Sequence, residues 1–331
     1  MDPSPPSSVG SANQIERIPI AARSEQGLRA GSHKMSPALL IVAMTDIDGT
    51  ANDEHEPEHQ RLATIGPARE AFSTLEKEGI VTGICTARSV GEAYHYRSAL
   101  QLTGPLICEN GGVLVFTDGS RRILGDLEKL KNGVKRISAR IGRYIPNSLD
   151  WPGLEAAWEL ERSGKSPEFL GHPDRESLRL AADRLASCFL VGLDPAEKVE
   201  ATAVAKELGL DSFGELLHLV PHGVSKGVAL SMWMEHVEAT TPGPPVKVVP
   251  IVFGNGENDL PLFERAIHAG GAAVLVGDPR TANGFQFDII RHPPPLGTIT
   301  LPGISHGYAI QQSLPRLAEF FAARYGIRFV W

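Results

Sequence analysis

The apolar run Leu39-Leu40-Ile41-Val42-Ala43-Met44 passes through Thr45 directly into Asp46-Ile47-Asp48-Gly49-Thr50. A continuous run of this kind is what a strand covered on both faces of a parallel sheet requires. In open α/β sheets, ligands collect just beyond the carboxyl ends of such strands. The chain therefore delivers two carboxylates, Asp46 and Asp48, to the place where that architecture does chemistry. Asp and Gly are also ordinary turn residues, so the pair taken alone fits a polar turn equally well.

Three further segments repeat the arrangement. Ile80-Val81-Thr82-Gly83-Ile84-Cys85 reads as a second buried strand and ends at Thr86-Ala87-Arg88, before a helical stretch near 89–101. Thr86 suits a helix N-cap, and a helix N-terminus also suits an anion. Val224-Ser225-Lys226-Gly227 opens another helical stretch, where a lone lysine is ordinarily a solvated surface charge. Val248-Val249-Pro250-Ile251-Val252-Phe253 then runs into Gly254-Asn255-Gly256-Glu257-Asn258-Asp259. Between the first two strands, Leu62, Ile65, Ala68, Phe72 and Leu75 recur at helical spacing, which predicts a helix over 60–78 closed by Gly79. Strands alternating with helices imply a parallel, doubly wound sheet.

Taken in order, these four segments resemble the four motifs of the haloacid dehalogenase superfamily, whose members mostly hydrolyse phosphate monoesters. The resemblance implies an α/β fold: a doubly wound parallel-sheet (Rossmann-like) core with an inserted α+β cap of the C2 type. It places the core at 37–112 and 223–331 and the cap at 113–222, behind an N-terminal tail, 1–36. Within the insert, helical stretches are expected near 126–142, 174–187 and 195–208, with strands at 187–191 and 216–220. A narrower likeness joins Gly104-Pro105-Leu106-Ile107-Cys108-Glu109-Asn110-Gly111-Gly112 and Gly303-Ile304-Ser305-His306-Gly307-Tyr308-Ala309-Ile310 to segments of the mannosyl-3-phosphoglycerate phosphatases. Ala87-Arg88-Ser89 departs from the Ser-Lys-Thr favoured in that family, and Tyr308 stands for its Trp.

The same resemblance assigns roles. Asp46 is the expected nucleophile, giving an aspartyl-phosphate intermediate. Asp48 is the general acid and base, Thr86 a hydrogen-bond donor to a phosphoryl oxygen, and Lys226 a second positive charge. Asp46, Asp48 through its backbone carbonyl, Asn255 and Asp259 would hold Mg²⁺. Gly49 and Thr50 shape the backbone around phosphate, and Arg88 and Asn110 are candidate substrate contacts. For Arg88 a helix-start surface residue is the alternative, and for Glu109 and Asn110 a turn closing the third strand. Asn255 replaces the expected acid. An amide oxygen still ligates a hard cation but supplies no negative charge, so metal affinity should fall. The expected substrate is a small phosphorylated sugar or glycoside. A phosphomutase with the same core, and a catalytically weakened sugar-phosphate binder, are the alternatives.

The remaining composition excludes other classes. A net charge of -7 without a basic stripe argues against a nucleic-acid partner. Lys129, Lys131, Lys135 and Arg136 form the densest basic stretch and read as one solvated helix face. No apolar run approaches the length of a membrane span. Residues 1–36 are rich in Pro, Ser, Gly and charge, which is the composition of a disordered tail and lacks a signal-peptide core. Cys85, Cys108 and Cys188 are scattered and form no CxxC pair, which suits a reducing, cytoplasmic compartment. His55 and its acidic neighbours, Glu54 and Glu56, read as a solvated polar loop. Nothing in the chain predicts an oligomeric state.

Overall fold

The computed structural model describes residues 37–165, 172–214, 216–276, 298–300 and 306–329. The expected N-terminal tail, and Gly303-Ile304-Ser305 of the C-terminal segment, lie outside the described residues. The chain begins with β1 (Ala38–Thr45), a single turn α1 (Glu58–Arg61), α2 (Gly66–Lys77), β2 (Val81–Cys85), α3 (Val90–Leu100) and β3 (Leu106–Cys108). A hairpin of β4 (Val113–Val115) and β5 (Arg121–Ile123) follows. Then come α4 (Leu127–Ile141), α5 (Trp151–Arg162), α6 (Arg175–Ala182), β6 (Cys188–Leu190), α7 (Pro195–Glu207), β7 (Leu210–Phe213) and β8 (Leu217–Pro221). The chain closes with α8 (Lys226–Thr240), β9 (Val246–Gly254), α9 (Leu260–His268), β10 (Ala272–Leu275), β11 (Thr298–Thr300) and α10 (His306–Tyr325).

Eight strands form one sheet in the order β11-β10-β9-β1-β2-β3-β4-β5. From β11 to β3 all neighbours are parallel, and β4 and β5 add antiparallel to that edge. The continuous apolar strands have the reason the sequence implied. Along β1, Ile41 and Ala43 enter one buried cluster with Phe72, Leu75, Ala93, Leu317 and Phe321, while Val42 and Met44 enter another with Leu230, Trp233 and Leu262. Helices α2, α3 and α10 thus cover one face, α8 and α9 the other, as in a doubly wound sheet.

A second, three-stranded antiparallel sheet, β6-β8-β7, makes the cap. Leu130, Val134 and Ile137 of α4 and Ala201, Val204 and Ala205 of α7 pack on one of its faces against Leu210, Leu217 and Leu219. The basic residues of α4 lie opposite that packed face, with Lys131, Lys135 and Arg136 exposed. The hairpin Val113–Ile123, placed in the insert on sequence grounds, belongs to the larger sheet. Its strands pair with β3, Ile107 opposite Leu114, so the insert leaves the core only after Ile123. The predicted helix over 60–78 starts at Gly66, because Leu62 faces solvent at 45% exposure and supports no helix packing there. Helix α5 and strand β7 were not anticipated at all. All three cysteines are buried thiols, and among the described residues no helix is long and apolar enough to cross a membrane.

Core and cap are joined by a buried carboxylate. Glu109, at a positive φ of 54°, accepts from the backbone N–H of Leu185 (2.9 Å), Ala186 (2.9 Å) and Ser187 (2.8 Å) and from the Ser187 hydroxyl (2.9 Å). Two residues on, Gly111 has φ +96°, and a Cβ there would lie 2.1 Å from the Ser225 carbonyl that starts α8. Only glycine lets this turn approach that closely. Gly111→Ala should therefore cost ~2 kcal/mol or more of stability. Urea unfolding measures this, and a loss within the scatter of a surface substitution would show that the turn and α8 are not held together as described.

Candidate active site

Parallel pairing of β1 with β2 sets Thr45 opposite Ile84, so Asp46 and Thr86 emerge side by side at adjacent carboxyl ends. After Asp46 the chain folds back sharply, with the N–H groups of Thr50, Ala51 and Asn52 all donating to the Ile47 carbonyl. Gly49 supports that turn with φ +72°, and the Asn255 side-chain nitrogen occupies the space a Cβ would need, at 2.0 Å. The first and fourth motifs are in this way packed against each other through a missing side chain.

Lys226 is 1% exposed, and its ammonium lies 3.1 Å from Asp46 Oδ1 and 2.7 Å from Asp259 Oδ1. Ser225 caps the helix start by accepting from the Val228 N–H, which aims the lysine inward from the first position of α8. Asp46, Lys226 and Asp259 therefore share one spot, with Thr86 at the next strand end. The Thr86 hydroxyl accepts from the Arg88 N–H at 3.2 Å and is buried with the other three.

Several expected contacts fall elsewhere. Asp259 is fully engaged: one oxygen holds Lys226, and the other accepts from the N–H groups of Asn255 and Gly256, each at 3.0 Å. In this arrangement it organises the fourth-motif loop. The Thr50 hydroxyl is buried and donates to Asn255 Oδ1 at 3.0 Å, so its side chain positions that loop. Asn110 closes the turn after β3 with φ 56° and accepts from the Asn258 amide at 3.0 Å. Arg88 is not a surface residue at a helix start. It is 8% exposed, grips Asp48 through Nε (2.8 Å) and Nη2 (2.7 Å), and pairs with Glu92 at 2.8 Å.

Asp48 also takes Arg61 Nη1 at 3.1 Å and the Asn52 amide at 3.3 Å. Arg61, from the polar loop read as solvated charge, went unrecognised in the sequence. Its one signal was a cation at the close of an acidic loop. That guanidinium also binds the carbonyls of Glu54 and Glu56, which ties the loop down over Asp48.

The two acids of the first motif are driven apart. For Asp46, burial pushes the carboxyl up, Lys226 pulls it down, and Asp259 and Asp48 push it up again, leaving it at about 7. For Asp48, burial also pushes upward, but Arg88, Arg61 and Asn52 outweigh it and bring the carboxyl down to about 2. Lys226 loses by burial and gains more from Asp259 and Asp46, so its ammonium is held above its ordinary range. Crowded carboxylates that share one ammonium form a site that favours further positive charge. Among the described residues no set of three or more His, Cys, Asp or Glu side chains converges as a metal cluster. The donors suited to a hard cation are the Asp46 carboxylate, the Asp48 carbonyl, the Asn255 amide oxygen and the Asp259 carboxylate.

Over residues 43–140 the chain matches the family described as haloacid dehalogenase-like hydrolase. It is 25% identical over 261 residues to the mannosyl-3-phosphoglycerate phosphatase of Pyrococcus furiosus, an alignment covering 74% of this chain and 94% of that protein. It is 27% identical over 230 residues to the phosphoglycolate phosphatase of Methanopyrus kandleri, covering 69% and 82% respectively. Among solved structures, a Thermoplasma acidophilum protein superposes with a TM-score of 0.57 at 20% identity, over 85% of this chain and 99% of that one. At that identity the likeness is one of fold.

A proton on Asp46 has a thermodynamic signature. Its folded value, about 7, lies above the ordinary 3.8, so between those values the metal-free native state holds a proton that the unfolded chain has released. Stability of chelator-treated protein should fall as pH rises through that window, and Asp46→Asn should flatten the fall. Urea titrations at stepped pH decide this, because an unchanged slope in the variant would assign it to other groups.

Proposed function

We propose that this chain, a phosphoric monoester hydrolase of the haloacid dehalogenase-like family with a C2-type cap, releases phosphate from a phosphorylated sugar or glycoside through an aspartyl-phosphate on Asp46. The observation that carries this reading is the buried Lys226 ammonium bridging Asp46 and Asp259 at the carboxyl end of β1. A carboxylate so placed is a nucleophile with its charge compensated, beside a hydroxyl that can donate to a phosphoryl oxygen.

In this reading an Asp46 oxygen attacks phosphorus and the bond to the ester oxygen breaks. Asp48 protonates the departing oxygen, then takes a proton from the water that attacks the aspartyl-phosphate and restores Asp46. Asp48 is held ionised in the structure, so that role requires its two arginines to let go. An arriving phosphate dianion is the natural competitor for Arg88 and Arg61, since guanidinium groups bind phosphate bidentately. Transfer of the arginines to phosphate frees Asp48 to take up its proton. Mg²⁺, when bound, would supply charge neutralisation. Asp46, the Asp48 carbonyl, Asn255 and Asp259 would hold it, with Asp259 also keeping Lys226 and the loop in place.

A panel of sugar phosphates and phosphorylated glycosides assayed with Mg²⁺ tests the reading. Free phosphate supports it, interconversion of isomers replaces it with a phosphomutase, and binding without turnover replaces it with a weakened binder. Asp46→Asn should lower turnover by about 10³-fold or more while leaving the fold intact. Retained turnover would remove Asp46 as nucleophile. Asn255→Asp should lower the Mg²⁺ concentration needed for half-maximal activity by about tenfold. If the Mg²⁺ dependence does not move, that loop does not hold the metal.

A further inference from the structure

Helix α3 carries an aromatic side chain whose polar end the chemistry above does not use. Tyr96 lies with Val90, Ala93 and Leu100 on the buried face of α3 and is 3% exposed. Packing accounts for its ring but not for its hydroxyl. That hydroxyl accepts from the Asn52 amide nitrogen at 3.0 Å. The same nitrogen donates to Asp48 Oδ1 at 3.3 Å, and Asn52 Oδ1 accepts from the Gly49 N–H at 3.3 Å. Asn52 is fully buried, so these bonds stand in for water that does not reach it.

The face of the ring meets a second partner. The Arg88 guanidinium carbon lies 4.8 Å from the Tyr96 ring centroid, within cation–π range. Arg88, Glu92 and Tyr96 stand four residues apart, a spacing that lines side chains along one side of a helix. Glu92 holds Arg88 Nη1 at 2.8 Å and also accepts from the Ser89 N–H in the capping box that starts α3. Glu92 and Tyr96 thus hold the guanidinium from the helix side, while Asp48 takes its Nε and Nη2. Arg88 and Tyr96 also line a cavity of about 360 Å³ between α3 and α6, which leaves the guanidinium room to turn. The helix-side support does not involve Asp48, so it persists when Arg88 exchanges Asp48 for another anion.

We propose that Tyr96 is a positioning residue acting through two contacts at once: its ring holds Arg88 for an incoming phosphate, and its hydroxyl, through Asn52, holds the turn that carries Asp48. This rests on the phosphatase reading above and adds to it a residue that acts only through others. One rigid side chain then fixes the spacing between the cation that receives phosphate and the acid that protonates the leaving oxygen. A tyrosine serving the core alone would need no hydroxyl. The two contacts separate by substitution, because Tyr96→Phe keeps the ring and removes the acceptor, whereas Tyr96→Leu removes both.

The test uses the Mg²⁺-loaded full chain. Inorganic phosphate, titrated by calorimetry, reads the ring: its Kd should rise about tenfold in Tyr96→Leu and stay within about twofold of wild type in Tyr96→Phe. Phenyl phosphate and p-nitrophenyl phosphate, which differ chiefly in how much the leaving oxygen needs a proton, read the hydroxyl. Tyr96→Phe should lower kcat/KM for phenyl phosphate about tenfold more than for p-nitrophenyl phosphate. A tyrosine with a merely structural role would lower both esters alike and leave phosphate affinity where it was. Equal phosphate affinity in wild type and Tyr96→Leu, or an unchanged ester ratio in Tyr96→Phe, overturns the proposal. Because Tyr96→Phe keeps the packed ring, the ester ratio decides even where Tyr96→Leu does not fold. If wild-type protein releases no phosphate from either ester or from the sugar-phosphate panel, the phosphatase reading fails and takes the ester arm with it, while the phosphate titration still decides the part of the ring.

Discussion

A single ammonium, that of Lys226, sits between two carboxylates that could not share the site without it. Asp46 and Asp259 come from different strand ends, β1 and β9, and among the described residues neither has a second full cation beside it. At ordinary dielectric values for partly buried groups, two unit charges at this separation interact by several kcal/mol. Bringing β1 and β9 into register therefore builds a repulsion that α8 must relieve as it docks. The helix docks where it does because Gly111 lets the turn after β3 meet Ser225, and because Ser225 caps the helix so that Lys226 enters first. Fold and site are thus one problem: the strands supply the acids, and the helix start supplies the cation that lets them coexist.

The two acids of the first motif share a turn yet have opposite surroundings. Asp46 is buried against another carboxylate and is pushed toward neutrality, while Asp48 is gripped by two arginines and held ionised. In the proposed reaction the nucleophile is ionised and the general acid protonated, so the shifts on both acids run against those roles. An incoming phosphate dianion with its cation would reverse both at once. In the proposed function a cation would lower Asp46 by compensating its crowded charge, and the dianion would draw the arginines off Asp48. Arg61 extends the same device, because it couples the 54–61 loop to Asp48 and so links loop position to substrate arrival.

Much of this was legible in the sequence wherever a local rule acts alone. Buried parallel strands announce themselves as unbroken apolar runs, and β1, β2 and β9 were each readable. Hydrogen-bonded pairing was not. The hairpin Val113–Ile123 has the same texture whether it starts a cap or extends a core edge, and only its register with β3 decides. Helix α5 begins with Trp-Pro-Gly, which reads as a turn, yet Asp150 caps it and Pro152 sits in its first turn, where a missing N–H is harmless. The site showed the same division. Asp46, Thr86 and Asn255 follow readable strands, and the roles expected of them came from the family resemblance. Arg61 and the linking role of Glu109 were not, because each acts across a contact whose partner is distant in the chain.

The departure at Asn255 has a physical logic within this charge arrangement. Its carbonyl oxygen accepts from Thr50 and its nitrogen fills the space beside Gly49, so an aspartate of the same shape would keep the first contact. It would also place a further carboxylate next to Asp46, Asp48 and Asp259, with Lys226 as the one buried ammonium among them. In the metal-free protein that added charge raises Asp46 further and destabilises the loop. If the loop holds a cation as proposed, the aspartate would strengthen the ligand set. Asparagine would then shift the balance toward a site stable without the cation, at the expense of affinity for it. Such a chain would depend more than an acidic counterpart on substrate phosphate to complete the cation's oxygen shell, which binds metal and substrate to each other thermodynamically.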